Sequence, residues 1–173
     1  MENHYEPSGM GVIMEIISIH DNIKSIPDVQ QLMTEYLETE YKEATQNDLK
    51  AIEKFKHEIA DLPGDYVPPD GLLLLALESQ KPAGCAALKK LNRDICEMKR
   101  LYVKPDSRGM GIGKKLSLAL IHKAQEAGYS KMRLDTTPSM KQAIQLYRSL
   151  GFKEIKKYRE VPTSCSIFME LEL

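Results

Sequence analysis

The sequence has few of the features that mark special classes of protein. Its 173 residues contain no tryptophan, only three phenylalanines and three cysteines, and 24 lysines and arginines against 25 aspartates and glutamates. A net charge of -1 gives no overall field that would attract nucleic acid or an anionic membrane. No apolar run approaches the roughly 20 residues that a membrane span needs. These absences predict neither a nucleic-acid nor a membrane partner, and the length suits one domain.

The cysteines are odd in number and widely spaced. Cys85, Cys96 and Cys165 lie in apolar segments, which is typical of reduced thiols packed as small core residues. The spacing predicts neither a disulfide framework nor a metal site. A catalytic cysteine is the alternative, although reactive thiols are a minority among buried ones.

Residues 1–14 are predicted to be a flexible tail, and residues 15–173 a single domain. The start of the chain has neither the basic residues nor the apolar stretch of a signal peptide, so we expect a cytoplasmic protein. Hydrophobic periodicity predicts helices over residues 25–44, 47–60, 111–127 and 138–151. It predicts strands over residues 15–20, 72–78, 83–91, 95–103, 131–137, 152–155 and 165–173. The expected fold is α/β or α+β, with a single mixed, mostly antiparallel sheet flanked by helices.

Three glycines at alternate positions separate a predicted strand from a predicted helix. They are Gly109, Gly111 and Gly113, with Arg108 just ahead of them and two lysines just after. Free backbone N–H groups and the positive end of the helix dipole make such a loop an anion site, most often for phosphate. Glycine lets the ligand approach the backbone and permits the positive φ of tight loops. The sequence therefore predicts a phosphate-binding loop.

Two common nucleotide-binding motifs do not fit this loop. The dinucleotide fingerprint requires GxGxxG, whereas the glycines here are spaced GxGxG. A Walker A loop would need glycine in place of Arg108 and serine or threonine in place of Lys115. A nucleotide-binding protein is therefore disfavoured.

The pattern RxxGxG does fit, formed by Arg108, Gly111 and Gly113. Together with LYVKPDSRGMGIGKKL (residues 101–116) and AIQLYRSLGF (residues 143–152), it resembles the GNAT superfamily of acyl-CoA-dependent N-acetyltransferases. The order of predicted elements agrees with that family from about residue 15 onward. The resemblance implies the GNAT fold and transfer of an acetyl group from acetyl-CoA directly to a primary amine of a small molecule or peptide. It implies no metal and no covalent enzyme intermediate.

The resemblance also implies where coenzyme A would bind. The pyrophosphate would lie against backbone N–H groups of residues 108–114, and the pantetheine arm in a gap between the strand ending at Val103 and the strand around residues 133–136. The N–H groups of Leu101 and Val103, two residues apart, point the same way and suit pairing with that arm. The implied cofactor-binding residues are Leu101, Tyr102, Val103, Arg108, Gly109, Met110, Gly111, Ile112, Gly113, Lys114, Thr136 and Tyr147. Met140 stands where the family often has asparagine, so that polar contact to the cofactor arm would either be missing or be supplied by Thr136 or Ser139.

Glu97 and Tyr147 are the candidates for proton transfer. An amine with a pKa of about 10.4 must lose a proton before it attacks, and the departing thiolate leaves more readily if it is protonated. By resemblance, Glu97 would be the general base and Tyr147 the general acid, with the N–H of Leu101 stabilising the oxyanion. Strand alternation predicts that Glu97 and Leu101 share a face. The alternatives are that Tyr147 only packs and that Glu97 only pairs with Lys99 or Arg100.

The acceptor is not identified by any motif. The first two helices and residues 62–71 would form its wall, and Tyr66, Asp65 and Tyr158 are the predicted contacts. Two alternatives stay open: transfer of another acyl group or to another nucleophile, and a non-catalytic CoA-binding sensor or assembly module. Members of the family often form homodimers, and a homodimer is expected here on that ground alone.

Overall fold

The computed structural model describes residues 13–161 and 166–173. The strands are β1 (Met14–Ser18), β2 (Leu72–Glu78), β3 (Lys81–Lys90), β4 (Ile95–Val103), β5 (Lys131–Thr136), β6 (Lys153–Ile155) and β7 (Ile167–Glu172). The helices are α1 (Ile26–Glu40), α2 (Leu49–Ala60), α3 (Ile112–Glu126) and α4 (Lys141–Ser149). Residues 1–12 of the predicted tail, and Cys165, lie outside the described residues, so the division at residue 15 stays a prediction.

All seven strands form one sheet in the order β1-β2-β3-β4-β5-β7-β6. Every neighbouring pair is antiparallel except β4 with β5, which run parallel. The predicted mixed, mostly antiparallel sheet is therefore confirmed. The single parallel pair lies in the middle of the sheet, and α3 connects its two strands.

The sheet is covered on both faces, which explains the uninterrupted apolar run of β2. Leu72 and Leu74 pack in a core with side chains of α3 and α4, whereas Leu73 and Leu75 pack in a second core with side chains of α1 and α2. Successive residues of a strand point to opposite faces, so a strand between two helical layers needs apolar residues at every position. These two faces are called the α3/α4 face and the α1/α2 face below.

Helices α2 and α3 differ from the predicted bounds by at most two residues at either end, whereas α1 and α4 are shorter by about a turn, and each of these two has a local turn next to it. The N–H of Met140 donates to the carbonyl of Thr137 at 3.0 Å, and this turn delays the start of α4 to Lys141. After α1, the N–H and side chain of Thr45 both bond to Asp48 at 2.8 Å, which begins the turn leading into α2. The predicted continuation of α1 to residue 44 is therefore wrong by about one turn.

The described residues contain neither a membrane-spanning helix nor a metal-binding cluster. No helix among them is long and apolar enough to cross a membrane. Within the same residues, no group of three or more histidine, cysteine, aspartate or glutamate side chains is arranged to hold a metal ion.

Candidate active site

The parallel strands β4 and β5 separate soon after they begin to pair. Their pairing is limited to residues 95–97 of β4 and 131–133 of β5, although β4 continues to Val103 and β5 to Thr136. A cleft of about 390 Å³ opens where they diverge, lined by residues of α1, α2, β4, β5, α4 and the segment after β6. The predicted gap between these strands is therefore present in the structure.

A β-bulge at Arg100 shapes the β4 side of the cleft. Lys99 pairs with Ala87, and Tyr102 pairs with Cys85. Between these pairs, β4 has two residues, Arg100 and Leu101, where β3 has only Ala86. Arg100 has φ +57°, a left-handed conformation that costs an L-residue about 1–2 kcal/mol. Such bulges bend a strand and redirect its side chains. The bulge thus lies just beyond the last residue of β4 that pairs with β5.

The bulge separates two residues that strand alternation had placed on one face. Leu101 packs in the core of the α3/α4 face. In the pairing of β3 with β4, Glu97 lies opposite Lys89, and two residues further along Lys99 lies opposite Ala87. Ala87 belongs to the core of the α1/α2 face, so Glu97 lies on that face too. Residues directly opposite in an antiparallel pair share a face. The prediction that Glu97 and Leu101 share a face is therefore wrong, because the bulge inserts one residue between them.

The backbone of Leu101 and Val103 nevertheless faces the gap. The N–H of Lys104 donates to the carbonyl of Ala83 in β3 at 2.9 Å. Since successive residues of a strand direct their N–H groups to opposite sides, those of Leu101 and Val103 point away from β3 and toward β5. Tyr102 faces the other way: its ring stacks on Tyr36 at 5.6 Å on the α1/α2 face and does not line the cleft.

Glu97 is buried, with 2% of its surface exposed, and both carboxylate oxygens have cationic or hydroxyl partners. The Tyr158 hydroxyl and the Arg159 Nε donate to Oε1 at 2.7 and 3.0 Å, and Lys99 Nζ lies 3.3 Å from Oε2. Burial alone would raise the pKa of Glu97, but Lys99, the Tyr158 hydroxyl and Arg159 outweigh it and hold the pKa below its usual range. Glu97 is thus an anion at neutral pH.

Arg159 bridges the two diverging strands. Its guanidinium donates to Glu97 on β4 and also to Asp135 on β5. The ring of Tyr158 beside it packs edge-on against Phe168, with 5.1 Å between ring centroids. The segment that follows β6 therefore crosses the gap and ties its sides together. No motif indicated this bridge, because its members come from three distant parts of the sequence.

The hydroxyls of Tyr147 and Thr136 line the cleft without a hydrogen-bond partner among the described residues. The hydroxyl of Tyr147 accepts and donates no hydrogen bond there, although the side chain is 7% exposed and its ring packs edge-on against Phe152. Burial, and then the charge of Asp135, raise the pKa of Tyr147, so the phenol keeps its proton at neutral pH. The hydroxyl of Thr136 is buried and unpaired. Since buried polar groups are normally hydrogen-bonded, these two suit a polar ligand chain in the gap.

The glycine loop leaves a row of backbone donors at the same end of β4. No described residue accepts a hydrogen bond from the N–H groups of residues 109–114, whereas the N–H of Lys115 donates to the carbonyl of Gly111 at 3.0 Å. Gly109 and Gly111 have φ +81° and +78°, which L side chains rarely adopt. Met110 is exposed, and Ile112 is buried beneath the loop in the core of the α3/α4 face. The loop can therefore bind an anion through its backbone.

Arg108 is hydrogen-bonded within the chain, and its contact with the cofactor stays a prediction. Its N–H already donates to the carbonyl of Pro105 at 3.2 Å, and its Nε donates to the carbonyl of Val103 at 3.1 Å. Arg108 thus fastens the loop to the end of β4, and the row of available N–H groups begins one residue later.

Glu40 is a cleft residue that no sequence pattern indicated. It lies at the C-terminal end of α1, is exposed to solvent, and has no ion pair or hydrogen bond with any described residue. Desolvation by the cleft walls raises the pKa of Glu40; Arg100 lowers it, and Asp135 raises it further. Its electrostatic environment is therefore opposite to that of Glu97.

The predicted acceptor contacts Tyr66 and Asp65 are both bonded to other side chains. Tyr66 lines the cleft and donates to Glu58 at 2.6 Å, whereas Asp65 lies in a neighbouring cavity, paired with Lys89 at 2.6 Å. Met140 lines the cleft, and the hydroxyl of Ser139 is hydrogen-bonded to Thr137.

Cys85 and Cys96 are buried, and burial raises the pKa of each to about 12. A thiol with such a pKa is not a nucleophile at neutral pH.

Comparison with known proteins agrees with this geometry. The model of the acetyltransferase (GNAT) family matches residues 27–152. An uncharacterized N-acetyltransferase of Schizosaccharomyces pombe is 34% identical over 152 residues, which cover 87% of this chain and 90% of that protein. An acetyltransferase from Streptococcus agalactiae has a similar structure, with a TM-score of 0.76 at 22% identity over 92% of this chain and 98% of that one. The PaiA N-acetyltransferase from Thermoplasma acidophilum, solved with coenzyme A, gives a TM-score of 0.67 at 21% identity, over 95% of this chain and all of that one (100%).

Proposed function

The chain belongs to the GNAT family of acetyltransferases, and on this basis we propose that it transfers the acetyl group of acetyl-CoA directly to a primary amine of a small molecule or peptide. The observation that carries the proposal is the meeting of two features at one end of β4. The loop of residues 109–114 offers a row of unpartnered N–H groups, and the cleft beside β5 offers unpaired polar side chains.

Coenzyme A fits these residues. The backbone donors of residues 109–114 suit its pyrophosphate, and the N–H groups of Leu101 and Val103 suit the amides of its pantetheine arm, as in the addition of a strand to a sheet edge. The buried hydroxyl of Thr136 would gain a partner there. Acetyl-CoA supplies the thioester, and the chain's own groups orient it and move protons.

The acceptor amine needs a base, and the cleft holds two candidates of opposite character. Glu97 has a lowered pKa and three partners, so it accepts a proton only if one of those partners moves or if a water relays it. Glu40 has a raised pKa and no described partner, so it can bind the acceptor's ammonium and take its proton directly. The assignment of Glu97 stays a prediction, and the structure adds Glu40 as its competitor.

The proposed activity is tested by acetyl-CoA-dependent release of free thiol across polyamines, amino acids, arylamines, aminoglycosides and peptides. We expect release with at least one class of primary amine and none without acceptor. Because direct transfer forms no acetylated enzyme, the intact mass of the protein should not change when it is incubated with acetyl-CoA and no acceptor. Tight binding of acetyl-CoA without thiol release from any acceptor would contradict the proposal and favour a CoA-binding module.

The phosphate loop is tested by a matched pair of glycine substitutions. Gly111 and Gly128 have φ +78° and +84°, and a Cβ at either would meet nothing within 4 Å. Both alanine variants should therefore lose a similar stability of about 1 kcal/mol. Only Gly111→Ala should weaken coenzyme A binding, by roughly tenfold, because it perturbs the donor row. Equal affinities of the two variants by calorimetry would show that the pyrophosphate binds elsewhere.

Tyr147→Phe removes only the unpaired phenol hydroxyl. If that hydroxyl protonates the departing thiolate, kcat should fall by about 100-fold, while the dissociation constant of acetyl-CoA stays within roughly twofold. The ring and its contact with Phe152 are retained, so packing is not disturbed. A variant with wild-type kcat would leave Tyr147 with a packing role only.

Glutamine variants and the pH dependence of kcat separate the two bases. A base must be deprotonated, so kcat falls as the pH drops through its pKa. If Glu97 is the base, that fall lies below the ordinary carboxyl pKa of about 4.3, and if Glu40 is the base it lies above that value. The variant that removes the base, Glu97→Gln or Glu40→Gln, should no longer show this fall of kcat at low pH, which is the acid limb of the pH profile. Glu154→Gln, at an exposed ion pair outside the cleft, is the control. An unchanged limb in both cleft variants would exclude both assignments.

A further inference from the structure

An ion pair from α2 holds the bulge of β4 in place. The Nε and Nη2 atoms of Arg100 donate to the two carboxylate oxygens of Glu58, each at 2.7 Å. Tyr66 donates its hydroxyl to the same carboxylate at 2.6 Å, and the Arg100 guanidinium lies 3.7 Å from the centre of the Phe55 ring. A planar guanidinium that donates to both oxygens of one carboxylate has a single well-defined orientation.

This clamp acts on a residue whose backbone is strained. Arg100 has φ +57° in the middle of a strand, and such conformations persist only where the surrounding structure enforces them. The side chains of Arg100 and Glu58 are each only 21% exposed, so the pair is poorly screened by water. Removing the charge of one partner would leave the other buried and uncompensated. Burial opposes the ionisation of Glu58, but Arg100 and Tyr66 outweigh it and lower its pKa, so the pair is charged at neutral pH.

The next residue along the chain has the backbone group that matters for the chemistry. Leu101 follows the bulge directly, and its N–H faces the gap between β4 and β5. The orientation of that N–H depends on the torsion angles of Arg100, because the two share a peptide unit. A change of φ and ψ at Arg100 toward ordinary strand values would remove the bulge and turn the N–H of Leu101 toward β3.

We propose that Glu58 is a positioning residue for acetyl transfer: by clamping Arg100 it fixes the bulge and hence the N–H of Leu101 at the gap. The proposal rests on the proposed function, in which this N–H stabilises the oxyanion. Glu58 acts through Arg100 and needs no contact with the reacting atoms. The phosphate loop lies beyond the bulge and is fastened separately by Arg108, so cofactor affinity does not depend on the clamp.

The proposal is tested with Glu58→Gln, which keeps the shape of the side chain but removes its charge. We expect kcat to fall roughly 10- to 100-fold, while KM for acetyl-CoA and the dissociation constant of coenzyme A change less than about twofold. Glu154→Gln is the same chemical change at an exposed pair with Arg148 at 2.6 Å, and it should leave kcat unchanged. Wild-type kcat in Glu58→Gln would overturn the proposal, as would equal changes in kcat and in coenzyme A affinity.

A milder variant and a spectroscopic measurement keep the test decisive. Tyr66→Phe removes one hydrogen bond to Glu58 and should lower kcat by about threefold, even if Glu58→Gln folds poorly. In amide NMR spectra of the protein without ligand, each of these variants should shift the Leu101 signal and leave that of Gly111 in place. This second measurement needs no turnover, so an inactive wild-type protein would refute the proposed function while the clamp is still tested. An unmoved Leu101 signal would refute the clamp.

Discussion

The loss of pairing between two parallel strands is the constraint on which the candidate site depends. Adjacent parallel strands normally satisfy each other's backbone groups along their whole length, and β4 and β5 do so for only three residue pairs. Beyond that point, the backbone of Leu101 and Val103 faces a gap rather than a partner strand. The same end of β4 leads directly into the glycine loop and α3. One topological feature thus supplies both an open strand edge and a loop of backbone N–H groups without described partners.

The charges around the gap are arranged to hold this opening at a defined width. Arg159 bonds to Glu97 on one strand and Asp135 on the other, so the strands are joined through side chains where their backbones no longer meet. Arg100 is likewise held by Glu58. Carboxylates held by charge-assisted hydrogen bonds of this kind have well-defined positions. Glu40 differs from them because it lines the same cleft without a described partner, which is the position expected of a group that receives a substrate.

Features that depend on neighbouring residues could be predicted from the sequence. The apolar run of β2 indicated a strand covered on both faces, and the glycines indicated a loop with positive φ between a strand and a helix. The resemblance of residues 101–116 and 143–152 to the GNAT superfamily correctly indicated the fold. It also led to Thr136 and Tyr147, which do line the cleft.

Features that depend on contacts between distant residues, or on a turn that competes with a helix, could not be predicted. Nothing around Arg100 indicates a bulge, because arginine has no preference for positive φ; its conformation is enforced by Glu58, which lies 42 residues earlier. The bridge from Arg159 to Asp135 joins residues 24 apart in different elements. The turn at Thr137–Met140 shortened α4, although Pro138 is a common residue at a helix start. In each case, a tertiary contact or a competing turn overrode the local pattern.

The most direct test of the central claim is a titration of the isotope-labelled protein with acetyl-CoA, followed by its backbone amide signals. If the end of β4 and the glycine loop form one cofactor site, the largest changes will be at Leu101, Val103 and residues 109–114. Changes concentrated around residues 57–66, or no changes at saturating acetyl-CoA, would contradict the assignment of the cofactor to the opening between β4 and β5.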